Sequence, residues 1–136
     1  MSVGWVIDSS VGLAWVHQDQ STPETDKVLV EIEAGASVFV PGLWFLEIAN
    51  GLLVLQRRKK FTAVERKAAL ETLGRLNFQL DEEAGRTAFH QVSDLAAAHV
   101  YDAVYLELAL RRKLPLASRD EALCKVAKGC RVKLLL

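Results

Sequence analysis

The chain has 136 residues, 51% of them hydrophobic, which suffices for the core of one domain of ordinary size and is too little for two. Lysine plus arginine balances aspartate plus glutamate at 17 each, so bulk charge favours neither nucleic acid nor membrane, and local clustering must decide the matter. Two cysteines, Cys124 and Cys130, supply neither a disulfide framework nor a zinc spacing and read as core thiols of a cytoplasmic protein.

In chain order, Val3 to Ile7 is a short β-branched run that stops at Asp8-Ser9-Ser10, as a buried parallel strand leading into a helix does. The strand already contains the first acid and has no basic leader, so it is not expected to be a signal peptide. No apolar stretch reaches membrane-spanning length without a charge. Val11 to Val16 reads as a helix, His17 to Thr22 as a loop, and Pro23 to Glu33 as a helix stopped by Gly35. Ser37 to Val40 is a second strand, and Pro41 to Lys60 a long helix opened by its proline. Thr62 and Glu65 form a capping box, which predicts a helix from Ala63 to Leu73. Asn77 to Leu80 reads as a short strand, Glu82 to His99 and Asp102 to Arg111 as helices. Leu114 to Ala117 is a strand, Asp120 to Lys128 a helix, and Val132 to Leu136 a last strand. Strands alternate with helices throughout, so the expected architecture is a single α/β domain with a parallel sheet covered by helices on both faces.

Four acids stand out from this pattern. Asp8 and Asp120 lie just past strands, and Glu47 and Asp102 lie near helix starts, so in a doubly wound sheet all four can meet at one crevice. Glu47 is the only charge between Leu43 and Leu55, where burial without a partner is costly. Taken alone, Asp102 and Asp120 read as helix caps, with Ser118 sharing the capping and supporting the acids. It is their coincidence that points to a carboxylate pocket for Mg²⁺ or Mn²⁺, since oxygen-only ligands suit these ions better than zinc.

Other chemistries find little support. No nucleophile elbow, P-loop, dinucleotide-binding glycine motif or metal-spaced histidine pair occurs, and His17, His90 and His99 are scattered. Trp5, Trp15 and Trp44 lie in apolar segments that suit a core or interface. The basic runs Arg57 to Lys60 and Arg111 to Lys113 follow apolar helical segments, where cations complement a helix C-terminus, with phosphate attraction as the other reading.

Four segments together carry a family likeness. They are Val6-Ile7-Asp8-Ser9-Ser10; Val40-Pro41 with Glu47-Ile48-Ala49-Asn50; Tyr101-Asp102-Ala103-Val104-Tyr105-Leu106; and Leu114-Pro115-Leu116-Ala117-Ser118-Arg119-Asp120 with Leu123. In this order and across nearly the whole chain they resemble PIN-domain ribonucleases, above all the VapC-type toxins of toxin–antitoxin systems. The segment from Ala96 to Tyr101 departs from the resemblance by lacking a Leu-Ser or Leu-Thr pair before Asp102. The resemblance implies a three-layer α/β/α PIN-like domain over residues 1–136, Mg²⁺ or Mn²⁺, RNA cleavage, a homodimer and inhibition by a cognate antitoxin. It assigns Asp8, Glu47, Asp102 and Asp120 as catalytic and metal-holding residues.

Two rivals remain. A phosphohydrolase with an aspartyl nucleophile calls for a second aspartate two residues after Asp8, where this chain has Ser10. A binding module with a vestigial acidic pocket is the non-enzymatic alternative. Apolar crowding on the long helix, at Trp44, Phe45, Leu52, Leu53 and Leu55, predicts a surface covered in part by another chain.

Overall fold

The computed structural model describes residues 4–84, 86, 89–95 and 100–136. Four short strands, β1 (Gly4–Ile7), β2 (Ser37–Val40), β3 (Phe78–Leu80) and β4 (Leu116–Ala117), pair in parallel in the order β3-β2-β1-β4. Val6 stands beside Phe39 on one side and Leu116 on the other. Trp5, Val6 and Ile7 are all buried, as an unbroken apolar run must be when helices cover both faces of a parallel sheet. At the β3 edge the sheet gives way to water, and Gln79 and Leu80 are exposed.

The helices are α1 (Ser9–Val16), α2 (Pro23–Glu33), α3 (Gly42–Arg57), α4 (Ala63–Gly74), α5 (Phe89–Leu95), α6 (Val100–Arg112) and α7 (Glu121–Gly129), with a 3₁₀ turn at Gln18–Gln20. From β1 through β2 to β3 the chain steps one way along the sheet, and it then crosses back to β4. Right-handed crossovers therefore put α1 to α4 on one face and α5 and α6 on the other, which makes three layers. The packing agrees: α1 lies on α2 and α3, whereas α6 lies on β1, β4, α5 and α7.

Local chemistry fixes most helix ends. Thr62 and Glu65 exchange hydrogen bonds of 3.0 and 3.1 Å as the expected capping box, and Gly35 takes up φ 115° after α2. Helices α1 and α3 meet at unusually short range through glycine. A Cβ on Gly12 would lie 2.7 Å from Trp44 Cζ2 and 2.9 Å from Ile48 Cδ1, and one on Gly51 would lie 2.8 Å from Leu13 Cδ1. Trp5 and Trp44 are core residues, and half-buried Trp15 donates through Nε1 to the Thr25 carbonyl at 2.8 Å.

Three expectations need correction. Among the described residues the helix predicted from Glu82 to His99 is seen over Phe89–Leu95, and Glu82 to Ala84 form a turn in which the Glu83 and Ala84 N–H groups donate to Asp81. Residues 96–99, His99 among them, lie outside the described residues. The last strand, Val132 to Leu136, is reduced to a single parallel bridge between Leu116 and Leu134, since β4 is only two residues long and offers little to pair with. On α3, Trp44 and Leu52 are buried and Leu53 and Leu55 half-buried; what faces outward is Phe45, 45% exposed, and Leu46, 70% exposed. No helix among the described residues is long and apolar enough to cross a membrane.

Candidate active site

Strand order reverses between β1 and β4, and at such a switch point the loops leaving neighbouring strands part and open a crevice. Asp8 leaves β1 there and Ser118 leaves β4. The Asp8 N–H donates to the Ala117 carbonyl at 3.1 Å, so the two strand ends are stitched together at the crevice floor. Asp8 caps α1, its Oδ1 accepting from the Ser10 N–H at 3.1 Å and from the Ser10 hydroxyl at 2.5 Å. Its Oδ2 accepts from the Ser118 hydroxyl at 2.5 Å. Ser118 Oγ accepts in turn from the Asp120 N–H at 3.0 Å, and Asp120 caps α7 by accepting from the Leu123 N–H at 2.9 Å.

Asp8 is 4% exposed. Burial pushes its carboxyl up from 3.8 to about 6, against the hydrogen bonds of Ser10, Ser118 and Val11, and the charge of Asp120 adds to the rise. Capping accounts for one oxygen of Asp8. It does not account for placing the carboxylate where ionisation is penalised.

A second pair of acids stands beyond Tyr105. Burial raises the Glu47 carboxyl, and the charge of Asp102, in the first turn of α6, raises it further. The hydroxyls of Tyr105 and Ser9 oppose that rise by favouring the charged form. Tyr105 donates to Glu47 Oε1 at 2.5 Å, joining α6 to α3. Its own phenol is pushed far up by burial, by Glu47 and by the charge of Asp8, so it stays a donor at any ordinary pH. Cys124 lies on the other flank, its Sγ 3.5 Å from the Ser118 carbonyl, with its thiol raised by burial and by the charges of Asp8 and Asp120.

The acids thus couple as Asp8 with Asp120 and Glu47 with Asp102. Among the described residues no three side chains of His, Cys, Asp or Glu stand close enough to hold one ion, and neither Asp8, Glu47 nor Asp120 pairs with a cation. A pair of carboxylates fits Mg²⁺ or Mn²⁺, because Mg²⁺ keeps several waters and takes one or two carboxylates.

Sequence reasoning missed two groups. Tyr105 is three residues after Asp102 and hence on the same helical face, a signal that was available. Asp81 was passed over, yet it is 2% exposed and accepts from Arg111 Nη1 at 3.0 Å, Arg111 Nη2 at 2.8 Å and Arg112 Nε at 2.6 Å. Burial alone would raise its carboxyl, but the two arginines outweigh that and hold it down at about 2. Arg112 also lies over the Phe39 ring at 4.2 Å. Arg111 and Arg112 therefore fasten the end of β3 to the end of α6, beyond the helix-end role expected of them.

Comparison with known proteins agrees with this architecture. No curated protein matches the chain. Among solved structures, PAE2754 from Pyrobaculum aerophilum superposes with a TM-score of 0.67 at 21% identity, over 99% of this chain and 92% of that one. A chain of VapBC2 from Rickettsia felis, bound to a DNA fragment from their promoter, gives 0.68 at 9% identity, over 97% of each chain. FitAcB from Neisseria gonorrhoeae gives 0.59 at 16% identity, over 96% of this chain and 95% of that one. These likenesses are likenesses of fold. The PIN domain family matches residues 5–129, nearly the whole chain, and the protein belongs to that family.

Proposed function

We propose that the protein is a divalent-cation-dependent ribonuclease that acts as the toxin of a toxin–antitoxin pair in the cytoplasm. One observation carries the chemical part: a buried carboxylate, Asp8, sits at the sheet's switch point with its pKa pushed up to about 6 and without a cationic partner among the described residues. Such a group is stabilised by a bound cation. PIN-domain membership supports nuclease activity.

In this reading Asp8 and Asp102 would hold the principal Mg²⁺ or Mn²⁺, while Asp120 and Glu47 would complete the acidic shell through water. The cation, when bound, acidifies water and offsets charge on the phosphodiester transition state. Ser10 and Ser118 hold the Asp8 carboxylate in one orientation. Tyr105 does the same for Glu47, which is then placed to orient the attacking water and accept its proton.

The test is cleavage of single-stranded RNA with Mg²⁺ or Mn²⁺ by the parent, Asp8→Asn and Asp102→Asn, with folding checked by circular dichroism. Activity should require the metal and disappear in both variants. A parent indifferent to EDTA, or variants as active as the parent, would overturn the assignment.

The neighbours' assemblies and the outward-facing Phe45 and Leu46 support a reading in which this surface takes partners. We place a second copy of the chain and a cognate antitoxin on this protein's surface. Sedimentation should give a dimer, and co-expression with an adjacent small reading frame should give a stable, inactive complex. A monomer indifferent to that neighbour would remove the toxin role and leave the nuclease standing.

A further inference from the structure

We infer that Arg119 receives a backbone phosphate of the RNA at the rim of this site, an inference that rests on the nuclease reading above. A carboxylate pocket repels a polyanion, so the substrate needs a cation close by that the pocket has not already consumed. Arg111 and Arg112 do not qualify, because both are tied to Asp81. Arg119 is exposed and makes no ion pair among the described residues.

Its position is fixed with care. The Arg119 N–H donates to Ser10 Oγ at 2.9 Å, and that hydroxyl itself donates to Asp8. On one side Ser118 donates to the other oxygen of Asp8; on the other, the Asp120 N–H returns to Ser118 Oγ. The backbone of this single arginine is therefore pinned across a sequence separation of 109 residues, between two side chains of the acidic site. That backbone anchor places Arg119 at the rim of the acidic site, where its exposed side chain is free to meet a ligand. The planar guanidinium matches two phosphate oxygens at once, which lysine cannot do.

The experiment uses the full chain and a fluorescein-labelled single-stranded RNA oligonucleotide of mixed sequence. Binding is followed by anisotropy in EDTA from about 50 to about 200 mM salt, the range in which counterion release is readily seen. Cleavage of the same RNA is measured with Mg²⁺. Arg119→Ala should raise Kd and KM about tenfold and leave kcat within about twofold, as the loss of one charged phosphate contact does. The slope of log affinity against log salt should become shallower by about 0.7, the value for one phosphate on a single strand. Arg119→Lys should keep the parent's slope while recovering only part of the affinity. Lys67→Ala, which removes one exposed charge on α4, should match the parent.

Parental affinity and slope in Arg119→Ala, or equal losses in Lys67→Ala, would overturn the assignment to Arg119 and leave the nuclease reading intact. A parent that neither binds nor cleaves RNA would overturn both.

Discussion

Replacing Asp8 with asparagine should make the metal-free protein more stable, even as it abolishes cleavage. The carboxyl ionises at about 6 in the folded chain against 3.8 ordinarily, so between these values the folded state holds a proton that the unfolded state has released. Stability accordingly falls as pH rises from 3.8 through about 6 and is level above that. At pH 7 the gap corresponds to about 3 kcal/mol. The substituted asparagine keeps the side-chain shape and an acceptor for the Ser10 N–H, and the Ser118 hydroxyl has a lone pair to accept from the amide. Hydroxyl donors bind an amide less strongly than a carboxylate, so the expected gain is about 2 kcal/mol. Urea unfolding in EDTA should place the variant's midpoint about 1 M above the parent's at pH 7. By pH 4 the difference should shrink to less than about 1 kcal/mol, because the parent's carboxyl is then protonated in the folded state. Added Mg²⁺ should stabilise the parent and leave the variant unmoved. Equal stability at pH 7, or a gap that ignores pH, would refute the claim that Asp8 is held in a site hostile to its own charge.

Two further outcomes concern the scaffold. Asp81→Asn should destabilise by about 2 kcal/mol at neutral pH, the contribution being fully present above 3.8 and lost as pH falls through about 2; a urea midpoint equal to the parent's at pH 7 would contradict it. The partial exposure of Arg111 and Arg112 keeps the loss below that of a fully buried ion pair. Gly12→Ala should lower stability by about 1–3 kcal/mol, since the added methyl meets the Trp44 ring and Ile48 inside 3 Å, and an unchanged melting temperature would contradict that contact.

The features read correctly in the sequence are those written in local chemistry. Thr62 and Glu65 are three residues apart and need nothing else in order to cap α4. Asp8 was visible as a charge ending an apolar strand, and the alternation of elements implied that its neighbour in space would be another strand end. What escaped was set by distant pairing. Asp81 meets Arg111 and Arg112 across 30 and 31 residues, and without that contact it looks like one more acid in an acidic stretch. The pairing of Tyr105 with Glu47 spans 58 residues, and helical spacing from Asp102 supplied only the face, not the partner. The likeness between the C-terminal segment and a strand failed because strand propensity says nothing about how much neighbouring strand is available.

The glycine contacts between α1 and α3 also decide which parts of the site can move. Leu13 fills the space above Gly51 while Trp44 and Ile48 fill the space above Gly12, so each helix carries both a knob and a socket for the other. Sliding or rolling either one drives side-chain carbon into backbone, and packed interfaces of this kind shift between discrete arrangements or not at all. Asp8 at the head of α1 and Glu47 on α3 are thus fixed points of one rigid frame. Tyr105 bonds Glu47 and Ser118 bonds Asp8, so α6 and the end of β4 are tied to the same frame.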